Sequence, residues 1–157
     1  MNLTLLTVGK TDVKWVKEGL DLYASRLRHY VPFSVVEIPE LKKVSALSQA
    51  QIKEKEGELI LKQLQSSDAL ILLDEHGQEF RSLDFAAYLE KLLAGGGKNV
   101  VFTVGGAYGF SEAVYARANG KISLSRMTFS HQMVRTIFTE QLYRAFTILK
   151  GEPYHHE

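Results

Sequence analysis

Asn99-Val100-Val101-Phe102-Thr103-Val104-Gly105-Gly106-Ala107-Tyr108-Gly109 is an apolar, β-branched run that stops at two glycines, with a third glycine three positions on. Residues 100–104 have the length and composition of a strand buried on both faces, as in a parallel sheet. Glycine lacks a Cβ, so the chain can turn sharply there and lie directly against a ligand. Ligands of open parallel sheets bind outside the carboxyl ends of the strands. The stretch therefore predicts a parallel sheet with a ligand site near residue 105. Its bland alternative is a tight strand-to-helix turn. The pattern is neither the G-x-G-x-x-G dinucleotide fingerprint nor a P-loop, since no Gly-Lys-Ser/Thr follows.

Outward from this strand, the pattern alternates. Leu3–Val8 reads as a first strand closed by Gly9, and Asp12 is placed to cap a helix with Trp15, Val16, Leu20, Tyr23 and Leu27 on its apolar face. Phe33–Ile38 is a second strand between two prolines. Residues 48–64 form an amphipathic helix, in which Gly57 costs about 1 kcal/mol against alanine and so implies a packing reason. Residues 69–73 are a third buried strand, with 74–77 as its exit turn. Ser82 caps a helix through Leu93, which three glycines break. After the opening strand, Ser111 caps a short helix, 122–125 is a short strand, and Ser130 caps a long helix over 131–150. Strands alternating with helices make the class α/β, a mostly parallel sheet flanked by helices in one domain over 1–157. Residues 40–46 are the candidate for a longer mobile loop.

The totals narrow the function classes. With 157 residues, 45% apolar and 24% charged, the composition is that of a soluble globular protein. The absence of cysteine excludes disulfides and thiolate catalysis. The amino terminus lacks a basic region before its apolar run, and no run reaches the ~18 apolar residues of a membrane span. A cytoplasmic location with no membrane partner is expected. A net charge of +1 means that any nucleic-acid role rests on a local patch or on shape.

Three further stretches can carry chemistry. Ser123-Leu124-Ser125-Arg126-Met127-Thr128-Phe129-Ser130-His131 leads from a strand to a helix. With the loop near 105 it could form one pocket, apolar Leu124, Met127 and Phe129 suiting an aromatic ring. In the long helix, Glu140 and Arg144 stand at i and i+4, as an ion pair or as a catalytic cation. Apolar residues cover more of that helix than one stripe, so it is either buried centrally or shared with another subunit. The end of the chain, Gly151-Glu152-Pro153-Tyr154-His155-His156-Glu157, reads as a solvated tail or as a phenol and an imidazole set just after the helix. A metal site would need ligands that this spacing does not supply.

Taken together, the chain resembles the RlmH (YbeA-like) group of SPOUT methyltransferases. The matching segments are Val8-Gly9-Lys10, Glu37-Ile38-Pro39, Lys55-Glu56-Gly57, Leu73-Asp74 with Gly77, and Val104-Gly105-Gly106 with Gly109. They continue through Leu124-Ser125 with Met127-Thr128-Phe129, His131, Leu142-Tyr143-Arg144-Ala145 and Pro153-Tyr154-His155. The resemblance implies methyl transfer from S-adenosylmethionine to N3 of a pseudouridine in 23S ribosomal RNA, on assembled ribosomes, by a homodimer without a metal. It also implies a SPOUT α/β knot, a C-terminal trefoil. Topology rules alone give an unknotted doubly wound sheet.

By the same resemblance, the cofactor pocket comprises Leu73, Gly105, Leu124, Ser125, Arg126, Met127, Thr128 and Phe129, with His131 at its rim. Arg144, Tyr154 and His155 line the reaction side. His155, or failing that Tyr154, would help the target nitrogen lose its proton, and Arg144 would stabilise the anion or a nearby phosphate. Ser130 stands where the group has proline, and a serine can start the helix by capping. Two rival readings are a doubly wound nucleotide- or flavin-binding protein and a non-catalytic ribosome-associated factor.

Overall fold

Five strands in a computed structural model of residues 2–156 pair in the order β2-β1-β4-β3-β5, every pair parallel. They are β1 (Leu3–Val8), β2 (Phe33–Ile38), β3 (Ala69–Glu79), β4 (Val100–Val104) and β5 (Gly120–Ser123). Central β4 is buried at every position, with Phe102 opposite Leu5 of β1 and Ile71 of β3. A strand with no polar face fits only where both faces are covered.

The alternation of side chains along each strand divides the core. Leu3, Leu5, Phe102 and Ile71 face helices α1 (Lys14–Leu27), α3 (Ser82–Leu93) and α5 (Met133–Leu149). Leu6, Val8, Leu70 and Leu72 face α2 (Gln49–Lys62) and α4 (Glu112–Arg117). Ser48 and Gln51 form a reciprocal capping box on α2, and the Ser111 hydroxyl caps α4. Gly57 does have a packing reason. A Cβ there would collide with the Ser111 hydroxyl and lie 3.2 Å from Val114 of α4.

Several boundaries differ from the sequence expectation. Asp12 does not cap α1, which begins after Val13 without a side-chain cap of its own. Just ahead of the helix, the side-chain amide oxygen of Gln132 accepts from the backbone N–H groups of Asp12 and Val13, at 3.1 and 3.5 Å. Trp15 is 59% exposed and lies off the core. Residues 74–77 are not an exit turn, because β3 resumes pairing with β5 at Gln78 after an irregularity that starts at Leu73. Ser82 is the first residue of α3 rather than its cap, and its hydroxyl donates to Gln141 at 3.0 Å. β5 begins two residues earlier than its apolar residues suggest, since Gly120 and Lys121 pair with Ile71 and Leu72.

α5 packs centrally. Its apolar residues Phe138, Leu142, Ala145 and Phe146 are buried in the core shared with α1 and α3, so central burial accounts for part of its excess of apolar surface, while Met133 at its start stays exposed. α5 begins at Met133, two residues later than expected and without a side-chain cap from Gln132, while the Ser130 hydroxyl accepts from the N–H groups of Gln132 and Met133 and so orders the turn that leads into it. One turn later sits Arg135, 1% exposed. Its guanidinium donates to the carbonyls of Val8, Gly9 and His131, each at 3.0 Å, and to the Thr11 hydroxyl at 2.8 Å. Burial lowers its pKa and the nearby Glu37 carboxylate, 3.6 Å away, works against that, so it remains a cation. The last helix is thus pinned to the carboxyl end of the first strand.

Candidate functional site

The carboxyl ends of β3 and β4 and the loop after β5 enclose a cleft of about 530 Å³, a size suited to a small organic molecule. Leu73, Val104 and Leu124 give it apolar walls. Gly105 and Gly106 expose bare backbone to it because neither has room for a side chain. A Cβ on Gly105 would lie 3.0 Å from the Phe110 ring, and one on Gly106 would lie 2.5 Å from the Glu56 carboxylate. Gly109, at φ +85°, closes the turn by donating to the Gly106 carbonyl at 3.2 Å. Beneath that turn, burial and then the charge of Glu40 push the Glu56 carboxyl up, and its Oε1 has no partner among the described residues.

The loop after β5 is held by its own serines. Ser123 Oγ donates to the Ser125 carbonyl at 2.9 Å, and Ser125 Oγ accepts from the Met127 N–H at 3.0 Å. Ser125, Met127, Thr128, Phe129 and His131 border the cleft with Leu73, Gly105 and Leu124. Arg126 does not. Its side chain turns outward, and Nε donates to Glu79 at 3.1 Å. On the opposite wall the Tyr115 hydroxyl donates to Asp74 at 2.7 Å, and burial with that bond pushes its pKa up to about 12.

Arg144, Tyr154 and His155 come together at the other end of α5, with Glu140 at their centre. Glu140 Oε2 accepts from Arg144 Nη2 at 2.8 Å and from the Tyr154 hydroxyl at 2.6 Å, while Oε1 accepts from the Gln141 amide at 3.0 Å. Arg144 lies over the Tyr154 ring at 4.7 Å, and its Nη1 is 3.0 Å from His155 Nδ1. Burial, then the bond to Glu140, raises the Tyr154 pKa well above the usual phenol range. Burial alone would lower the Arg144 pKa, but the Glu140 bond and charge outweigh it. Arg144 Nε is buried and has no acceptor among the described residues.

The proton positions in this cluster follow from one constraint. A guanidinium only donates, so His155 Nδ1 must accept, and the imidazole hydrogen then sits on Nε2. Tyr154 is held neutral as a donor to Glu140. The group therefore offers donors, and His155 has its basic nitrogen occupied. Sequence reading paired Glu140 with Arg144 through the i,i+4 spacing but missed its part as a common acceptor. It also missed Tyr23 and Arg26 of α1, whose side chains flank Tyr143 beside the cluster. No local spacing links α1 to the tail.

The cleft and the cluster are separate. Val134 borders the cleft, and the rise of a helix sets Arg144 about 15 Å further along α5. Among the described residues, no group of three or more His, Asp or Glu converges as a metal site would require, and no helix is long and apolar enough to cross a membrane.

Residues 1–155 match the family model described as "Predicted SPOUT methyltransferase". A protein of Parabacteroides distasonis named "Ribosomal RNA large subunit methyltransferase H" is 59% identical over 157 residues, all of both chains. One of the same name from Christiangramia forsetii is 56% identical over 99% of each chain. Among solved structures, the SpoU methyltransferase AviRb of Streptomyces viridochromogenes, in complex with AdoMet, aligns with a TM-score of 0.46 at 11% identity, over 96% of this chain and 61% of that one.

Proposed function

This chain belongs to the SPOUT methyltransferase family, whose fold is a parallel α/β sheet with a C-terminal trefoil knot, and from that premise we propose that it methylates N3 of a pseudouridine in 23S ribosomal RNA, on assembled ribosomes, with S-adenosylmethionine as donor. The observation that carries the reading is end-to-end similarity, at 59% identity, to a large-subunit ribosomal RNA methyltransferase. Mass spectrometry of large-subunit RNA from cells with and without the gene tests it. An unchanged mass at every pseudouridine would overturn the assignment.

The cleft fits the donor. Its volume, its apolar walls and the side-chain-free backbone at Gly105 and Gly106 suit an adenosyl group lying flat against the chain. Leu73, Gly105, Leu124 and the backbone of residues 125–129 would hold it. Arg126 would take part through its backbone alone, since its side chain is engaged by Glu79. When bound, the donor supplies a methyl carbon on a positively charged sulfur.

The cluster then has one task at the target base. N3 must lose its proton before it can form a bond to carbon. The resulting negative charge spreads onto the two carbonyl oxygens that flank it. Arg144 Nε and His155 Nε2 are the donors that meet this charge. With its Nδ1 occupied by Arg144, His155 acts by donating, and the proton from N3 leaves to water. Glu140 keeps Arg144 charged and fixed, and Tyr154 braces Glu140 from the other side.

We further propose that the protein works as a homodimer through the surface of α1 and the start of α5. Trp15, Leu22 and Met133 are exposed there beyond what a lone domain needs. Sedimentation at micromolar concentration tests this, and a monomer throughout would refute it. With a net charge of only +1, docking relies on the shape of the ribosome more than on bulk attraction to RNA. Efficient methylation of naked 23S RNA would contradict that expectation.

A further inference from the structure

The adenosyl group of the donor carries a ribose with two adjacent hydroxyls. Each is an O–H donor that gives up water on binding and needs an acceptor in return. The apolar side chains of Leu73, Val104 and Leu124 offer none, and Asp74 brings a carboxylate to the same cleft.

The strand is bent to put it there. Leu73 and Asp74 both border the cleft, although in a regular strand neighbouring side chains point to opposite faces. The register between β3 and β5 breaks after Leu73 and resumes at Gln78, and irregularities of this kind re-aim side chains beside active sites. The excursion is tightly held. A Cβ on Gly77 would lie 2.6 Å from the backbone N and C of Ile122 in β5, so the strand returns there only through a glycine. Glu75 and His76 at the crest are exposed and lie side by side, with Glu75 Oε1 3.5 Å from His76 Nε2. Asp74 is partly buried and fixed. Its Oδ2 accepts from the Tyr115 hydroxyl at 2.7 Å, and its Oδ1 accepts from the His76 N–H at 3.3 Å. Tyr115 is braced in turn by the Phe110 ring, edge-on at 5.9 Å between centroids, and by Lys121 Nζ at 5.5 Å from its ring centre.

We propose that Asp74 accepts the two ribose hydroxyls of the donor, with Tyr115 as the residue that positions it. The proposal rests on the reading of the cleft as the donor site. A carboxylate has about four acceptor positions, two on each oxygen. Tyr115 and His76 take one each, which leaves one on each oxygen for the two donors of a vicinal diol. Dinucleotide-binding sheets set an acidic side chain on the ribose for the same reason, an acceptor-only group against O–H donors. Position favours the sugar over the amino-acid end of the donor, because Asp74 directly follows Leu73, a wall of the adenosyl site.

Calorimetry with three ligands tests this: S-adenosylhomocysteine, 5′-methylthioadenosine, which lacks the amino-acid end, and 2′-deoxy-5′-methylthioadenosine, which also lacks one hydroxyl. The parent should prefer 5′-methylthioadenosine to its deoxy form by about 10-fold. Asp74→Ala should weaken S-adenosylhomocysteine and 5′-methylthioadenosine alike, by about 30-fold, and should bind 5′-methylthioadenosine and its deoxy form equally, since the hydroxyl has lost its acceptor. Asp74→Asn keeps the shape and one acceptor oxygen, so its affinities and its preference should fall between the two. Tyr115→Phe frees the carboxylate without removing it and should cost about 3-fold. Parent-like affinities in both Asp74 variants overturn the proposal. So does a loss confined to S-adenosylhomocysteine, which would put Asp74 at the ammonium of the amino-acid end. A full 10-fold preference that survives in Asp74→Ala also overturns it, because Asp74 would then act on the cleft only structurally. If Asp74→Ala fails to fold, the preference in the isosteric Asp74→Asn decides alone. A parent protein that binds none of the three ligands refutes the reading of the cleft as the donor site instead.

Discussion

Replacing Arg135 with methionine removes the guanidinium that ties the last helix to the first strand while keeping most of the side-chain stem. Arg135 makes four hydrogen bonds of 2.8–3.0 Å, and three of them go to the strand β1 end or the turn after it. A hydrogen bond from a charged group is worth about 1.5–3 kcal/mol, which would sum to about 6–12 kcal/mol. That sum overshoots, because burying the cation was itself costly and methionine recovers packing. Removing one partner from a buried charged network costs about 3–5 kcal/mol, and that is the expected loss here. The carbonyls of Val8 and Gly9 are left without the donor, whereas Glu37 still accepts from Thr11 N and Oγ1, at 2.7 and 2.6 Å. Urea denaturation should show a lower midpoint at unchanged slope. Arg135→Lys should fall between the two, since an ammonium cannot reproduce the fork. S-adenosylhomocysteine affinity should also drop, because the cleft residue His131 sits one turn before Arg135. A loss under about 1 kcal/mol would refute the view of Arg135 as a structural pin.

The remaining predictions concern the cluster, a helix contact and the tyrosines. His155→Gln retains an N–H donor and should keep far more single-turnover activity than His155→Ala; equal loss in both would restore His155 as the proton acceptor. Gly57→Ala should lower the melting temperature despite its better helix propensity, since the added Cβ meets Ser111 and Val114. A rise would refute the close α2–α4 contact. Tyr30 and Tyr115 are raised to about 12, and Tyr154 is raised as well, above an unfolded value of about 10. Groups raised in the folded state contribute stability that is full below pH 10 or so and is lost as pH climbs through their folded values. Melting temperature should thus be independent of the titration of these tyrosines near neutral pH and fall above about pH 10, less steeply in Tyr154→Phe; an identical alkaline fall in that variant would count against the Glu140–Tyr154 bond.

The elements were largely legible because their patterns are local. Val100–Val104 announced a doubly buried strand, and the capping serines Ser48 and Ser111 sit where their helices begin. The differences have separate origins. Asp12 has the side chain of a cap, but α1 starts without one, and the Asp12 N–H is met by Gln132, 120 residues away. Trp15 fits the apolar stripe of α1 but lies outside the core. The polar residues 74–77 have the composition of a turn, but β3 continues past them because β5 offers partners, so there a distant segment overrides a local preference. Within the site, resemblance named the residues, and only coordinates could show that Arg126 turns outward and that Arg144 occupies the basic nitrogen of His155. The knot was not readable from periodicity, because nothing local distinguishes a threaded crossing from an unthreaded one.

The bond from Arg135 to Val8 also sets an order of events in time. It joins positions 127 residues apart. During synthesis the first strand leaves the ribosome early, but the cation that completes its carboxyl end belongs to the last helix. The β1 end therefore waits for nearly the whole chain. Contacts of such sequence separation are paid for by loop closure before they return stability, so they form late and slowly. The cleft borrows residues from that same late segment, Leu124 through Val134. A nascent or truncated chain that lacks α5 thus has an unfinished cleft, and the segment made last completes both the cleft and the tail cluster.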